Sequence, residues 1–165
     1  MRPLLIMVLV ALFGAPVFCG AAEVRPLHPR RIVSLAPAMT EILFELGLGG
    51  RVVGVTSLCD RPAEARRRPT VGGMANPSLE AIVALRPDLV VMTRDGNPKE
   101  IAQRLAALGI ATHVFMAARL ADLPAGIRRM GSALGAQRAA ERLAAKLEAA
   151  AAGGFAPAGR RRRAL

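Results

Sequence analysis

Tyrosine and tryptophan are absent from this chain, and lysine is confined to Lys99 and Lys146. Without aromatic residues interleaved among basic ones, the sequence lacks the stacking platforms of a single-strand nucleic-acid binder. The formal charge of +11 rests almost entirely on arginine. Much of it is concentrated in Arg66-Arg67-Arg68 and Arg160 to Arg163, so no nucleic-acid partner is expected. Histidine is nearly absent too. His28 and His113 are the only two, which excludes a three-histidine metal centre, and no metal site is expected. Cysteine is limited to Cys19 and Cys59, too few for a disulfide framework or a zinc site of the Cys-Cys type.

Catalytic signatures are missing in the same way. Ser34 stands in no nucleophile motif with a histidine base, and the carboxylates form no paired set. "GLGG", Gly47 to Gly50, stops a helix and precedes a strand, the reverse of a dinucleotide fingerprint. A non-enzymatic protein without a resident cofactor is expected.

Long apolar runs are confined to the N-terminus. "MRPLLIMVLVALFGAPVFCGAAEV" has a positive start at Arg2 and an apolar run from Leu4 to Phe13. Breakers follow at Gly14 and Pro16, then small residues before Glu23. That is the pattern of a cleaved export signal over residues 1–22. The run is short for a bilayer span, so a periplasmic or other extracytoplasmic location is expected. A lipid anchor at Cys19 is disfavoured, because the bulky Phe18 precedes it where a small residue is normal. Cleavage would leave Cys59 alone.

What remains alternates between strands and helices. "RIVSL", "RVVGVTS", "DLVVM" and "IATHVF" are short β-rich runs of the kind buried in a sheet. "APAM" turns the chain after the first strand. "TEILFELG" then places Ile42, Leu43 and Leu46 at helical spacing, with Thr40 or a residue just before it as cap and Gly47 as stop. Asn76 is the expected cap of a helix with Pro77 at its first position. "PKEIAQRLAALG" turns Ile101, Leu105 and Leu108 inward and stops at Gly109. Strands alternating with crossover helices predict an α/β fold, a single three-layer lobe around a mainly parallel sheet of roughly four strands. Strand order is not readable.

After Phe115 the pattern becomes helical. "LADLPAGIRRMGSALG" aligns Ile127, Met130 and Leu134, and an Ala-rich helix carrying Leu143 and Leu147 follows Gly135. The expected organisation is an α/β lobe over residues 30–118 and helices over 119–152. A disordered basic tail is expected over 153–165.

Three segments in order, "RIVSLAPAMTEILFELGLGGRVVGVTSLCDRPAEA", "VGGMANPSLEAIVALRPDLVV" and "LADLPAGIRRMGSALG", together resemble the N-terminal lobe of periplasmic binding proteins. The family serves iron-siderophore, haem and cobalamin importers, and the likeness is nearest to its vitamin B12-binding members. The resemblance implies two α/β lobes joined by a long helix, with ligand held between them and delivered to the permease of an ABC transporter. On that reading this chain is a truncated protein, a monomer is expected, and Leu143 and Leu147 would face solvent. The alternatives are a remnant that no longer binds ligand and an interaction module.

Open α/β sheets bind ligands at the carboxyl ends of their strands. Candidate contacts are therefore Pro37, Ala38 and Met39 after the first strand, and Leu58, Cys59 and Asp60 after the second. Met74 precedes the next helix, and Thr93 and Arg94 follow the third strand. Each has a plainer role: Pro37 as strand end, Cys59 and Met74 as filler, Asp60 in a turn, Arg94 solvated. The ligand implied by the resemblance is cobalamin first, then haem or a siderophore. Glu80 is the glutamate of the "SLE" helix, which in that family docks to arginines of the permease; by itself it is a first-turn carboxylate favoured by the helix dipole.

Overall fold

A computed structural model of the chain describes residues 28–153. The predicted export signal, Cys19 and the arginines from Arg160 to Arg163 lie outside the described residues.

The sheet is the α/β arrangement the alternation predicts. Strands β1 (Ile32–Ser34), β2 (Val52–Val55), β3 (Leu89–Thr93) and β4 (Ala111–Phe115) lie in the order β2-β1-β3-β4. All three pairings are parallel. Alternate residues of the inner strands feed two separate cores. Ile32, Leu89 and Val91 pack with Met39, Leu43, Ile127, Met130 and Leu134. Val33, Val90 and Met92 pack with Ile82, Ile101 and Leu105. A sheet buried on both faces tolerates no polar side at its centre, which is why these strands read as continuous apolar runs.

Helix α1 (Pro37–Glu45) covers the first face. The expected loop over Ala36 to Met39 is not a loop, since Pro37 already occupies the first turn, where its missing N–H costs nothing. Thr40 does not cap this helix. It is buried in the second turn, and its hydroxyl donates to Ser34 Oγ (2.9 Å), with the Ala36 carbonyl also within reach (3.2 Å). Gly47 (φ 76°) and Gly109 (φ 72°) terminate α1 and the later helix α3 (Lys99–Ala107) in the left-handed region as expected.

Helix α2 (Leu79–Ala84) and helix α3 (Lys99–Ala107) cover the second face. Two expectations here are corrected. The cap of α2 is Ser78, not Asn76: its Oγ accepts from the Ala81 N–H at 3.2 Å. A bridge between Gly72 and Pro77 closes residues 74–76 into a bend, so the helix starts two residues later and Pro77 lies before it. Leu108 is 54% exposed rather than inward, because α3 ends at Ala107 and Leu108 leaves the buried stripe.

Helices α4 (Leu123–Ala133) and α5 (Gln137–Ala152) form an antiparallel pair broken at Gly135. Ile127, Met130, Leu134 and Ala140 belong to the first core. Leu143 and Leu147, expected in solvent, are half-buried against it. The physical reason is that α5 folds back along α4, so its apolar stripe has a partner. Arg128 on α4 fastens the pair, donating to Glu141 at 2.8 Å and to Glu148 at 2.6 Å.

Candidate functional site

The order β2-β1-β3-β4 contains one point where successive connections leave in opposite directions. From β1 the chain crosses by α1 to β2. It reaches β3 and β4 by way of α2 and α3 on the other face. The connections leaving the carboxyl ends of β1 and β3 therefore diverge, and the crevice expected at such a switch point is the place where open α/β sheets receive ligands.

The crevice is organised by Asn97. This side chain is buried, and its carboxamide uses its whole hydrogen-bonding capacity. Nδ2 donates to the Leu35 carbonyl beyond β1 (3.0 Å) and to the Met74 carbonyl (2.9 Å). Oδ1 accepts from the Thr93 N–H (2.8 Å) and the Thr93 hydroxyl (3.3 Å). The Ser57 N–H donates to the Gly72 carbonyl (3.0 Å), which ties in the segment after β2. Met74 and Thr93 lie close over Gly96: a Cβ there would lie 2.6 Å from Met74 Cε and 3.0 Å from Thr93 Oγ1.

The expected contacts distribute unevenly over this edge. Met74 and Thr93 are brought together around Asn97, both half-buried. Leu58 is 67% exposed, and Arg94 is exposed with Nη1 3.5 Å from Met116 Sδ. Pro37 is half-buried and Ala38 exposed on the first turn of α1. Met39 is only 2% exposed and packs in the first core. Cys59 is also buried, its Sγ 3.1 Å from Thr56 Oγ1. The turn bonds at Asp60 run through its backbone, its N–H donating to Leu58 and its carbonyl accepting from Arg66 Nε (2.9 Å). Glu80 is exposed in the first turn of α2.

Sequence reasoning missed Asn97 and Met116. Asn97 stands in "DGNP", where an asparagine before proline reads as ordinary turn chemistry. Met116 follows a strand and is half exposed, a weak signal in a chain with seven methionines. Among the described residues no three His, Cys, Asp or Glu side chains converge to hold a metal ion. No helix there is long and apolar enough to cross a membrane.

Comparisons with known proteins fall on the same residues. The sequence profile of the family described as periplasmic binding protein matches residues 32–153. The vitamin B12-binding protein of Pectobacterium carotovorum subsp. carotovorum (strain PC1) is 36% identical over 104 residues, which are 63% of this chain and 38% of that protein. Its counterpart in Yersinia pestis (strain Pestoides F) is 40% identical over 80 residues, 48% of this chain and 29% of that one. Among solved structures, the periplasmic vitamin B12 binding protein BtuF of Vibrio cholerae superposes with a TM-score of 0.71 at 26% identity. It covers 78% of this chain and 50% of its own. The periplasmic haem-binding protein RhuT of Roseiflexus sp. RS-1, in apo form, gives 0.70 at 36% identity, over 75% and 48%. The chain thus spans well under two thirds of the proteins it resembles. Profile, relatives and fold coincide over the sheet and its rim, and the chain belongs to the periplasmic binding protein family.

Proposed function

We propose that this chain is the extracytoplasmic solute-binding component of an ABC importer, a carrier and not an enzyme, whose ligand is a corrinoid such as cobalamin. The observation that carries the reading is the strand-end edge between β1 and β3, where Asn97 ties Leu35, Met74 and Thr93 together and where Arg94 and Met116 lie exposed beside one another. Leu58, Met74 and Met116 offer soft surface to a flat macrocycle, and Arg94 offers donors to its amide or phosphate groups. The B12-binding relatives favour cobalamin.

Haem is the second reading, favoured by the Roseiflexus neighbour at 36% identity. Titrating the full chain with cyanocobalamin and with haemin, followed by calorimetry, separates them. Saturable uptake of cyanocobalamin in preference to haemin supports the corrinoid reading, and the reverse preference supports haem. Saturable binding of neither overturns the carrier function for this chain.

Glu80 is the proposed contact with the permease. Exposed on a helix end, its carboxylate can accept paired charge-assisted hydrogen bonds from arginine. Glu80→Ala is expected to leave ligand affinity unchanged and to lower ligand delivery to a reconstituted permease. Unchanged delivery would leave the carboxylate only its interaction with the helix dipole.

A further inference from the structure

The crevice poses a physical problem. The chain segments that border it come from distant parts of the sequence, and loops that must be ordered by a ligand weaken its binding. We propose that Asn97 is the positioning residue of this rim: one buried carboxamide sets the β1 end, the 72–75 segment and the β3 end in place before ligand arrives. The proposal rests on the reading that the rim receives the ligand.

The geometry supports this over a role in one local turn. Asn97 reaches Leu35 and Met74, which are 62 and 23 residues away in sequence, as well as Thr93 four residues away. Only asparagine meets all three at this reach. Aspartate keeps the acceptor but would present lone pairs to two carbonyls. Leucine keeps the volume and leaves both carbonyls and the Thr93 N–H without their partner. The absence of a Cβ at Gly96 lets Met74 and Thr93 close over the same turn, so two neighbouring residues serve one arrangement.

Hydrogen–deuterium exchange on the full chain tests this, comparing Asn97→Asp and Asn97→Leu with Leu105→Ala. Leu105 is buried in the second core, and its truncation lowers stability without touching the carboxamide. Asn97→Asp is expected to speed exchange about tenfold or more in segments 35–38 and 72–76, while the Thr93 amide keeps its acceptor and stays slow. Asn97→Leu is expected to release all three segments. Leu105→Ala is expected to show no such selectivity for the rim. If the Asn97 variants speed exchange uniformly, following the Leu105→Ala profile, or not at all, the positioning role is wrong.

Binding supplies the second readout. At a temperature where every variant is folded, Asn97→Asp is expected to weaken cyanocobalamin about tenfold, with Leu105→Ala close to the unsubstituted chain. Equal affinities for Asn97→Asp and the unsubstituted chain would overturn the proposal. Should the unsubstituted chain take up neither cyanocobalamin nor haemin, the carrier reading fails, and the exchange pattern alone decides the role of Asn97.

Discussion

Gly131 of α4 lies directly against Ala140 of α5, so close that a Cβ built on the glycine would overlap the alanine methyl. The two helices meet through this contact, and Arg128 clamps them to one side of it. Gly131→Ala sets two effects in opposition. Helix propensity gains up to about 1 kcal/mol, while overpacking a close contact costs about 1–3 kcal/mol. The overlap involves rigid groups on both sides, so the cost wins. The melting temperature should fall, and Ala140→Gly in the same chain should recover part of the loss. A melting temperature equal to or above the parent would show that α5 shifts freely along α4.

The Arg128 fork has a pH signature. Hydrogen bonds from Arg128 hold the Glu141 and Glu148 carboxyls below their ordinary value of 4.5. A depressed carboxylate contributes stability that is present above that value and is lost as pH falls through the lowered one. Arg128→Met should therefore lower the melting temperature at neutral pH, by an amount that shrinks in acid and in high salt, since the pair is solvent-exposed. A difference independent of both pH and salt would assign the loss to packing of the arginine stem.

His113 titrates in a separate window. Burial on β4 lowers its pKa below 6.5, because the charged ring is poorly solvated there. The unfolded chain then binds the proton more readily than the folded one. Stability is complete above pH 6.5 and declines as pH falls toward the lowered value. Urea midpoints measured across that range should slope downward in the parent and flatten in His113→Gln. Equal slopes would locate the proton uptake elsewhere.

Ser78 carries the start of a helix with only six residues. Ser78→Ala removes the cap that satisfies the Ala81 N–H and should cost about 1 kcal/mol. Ser78→Asp keeps an acceptor and adds a charge favourable to the helix dipole, so its urea midpoint should stay near the parent. Parity of all three would mean that water replaces the cap without loss.

Local chemistry explains which features were legible in the chain. The four strands could be read because each is short, apolar and closed by a turn residue, and α1 and α3 because Gly47 and Gly109 mark their ends. Strand order has no local signal, since any of several orders would bury Val33 and Val90 equally well. The cap of α2 was misplaced because Asn76-Pro77 and Ser78 are both good helix starts, and the bridge from Gly72 to Pro77 that decides between them has no residue-type signature. Asn97 was passed over because two of its partners are remote in sequence, so "DGNP" looked like a turn and nothing more. Leu143 and Leu147 looked stranded because the fold-back of α5 depends on the small residue at Gly131, whose purpose shows only against Ala140.

Strand order has a consequence in time as well as in space. Ile32 pairs with Leu89 at the centre of the sheet, so β1 can be flanked on only one side until synthesis has passed β3. Parallel pairing across such a separation is slow to form. The first half of the chain therefore emerges before the strand that completes its share of the sheet has been made.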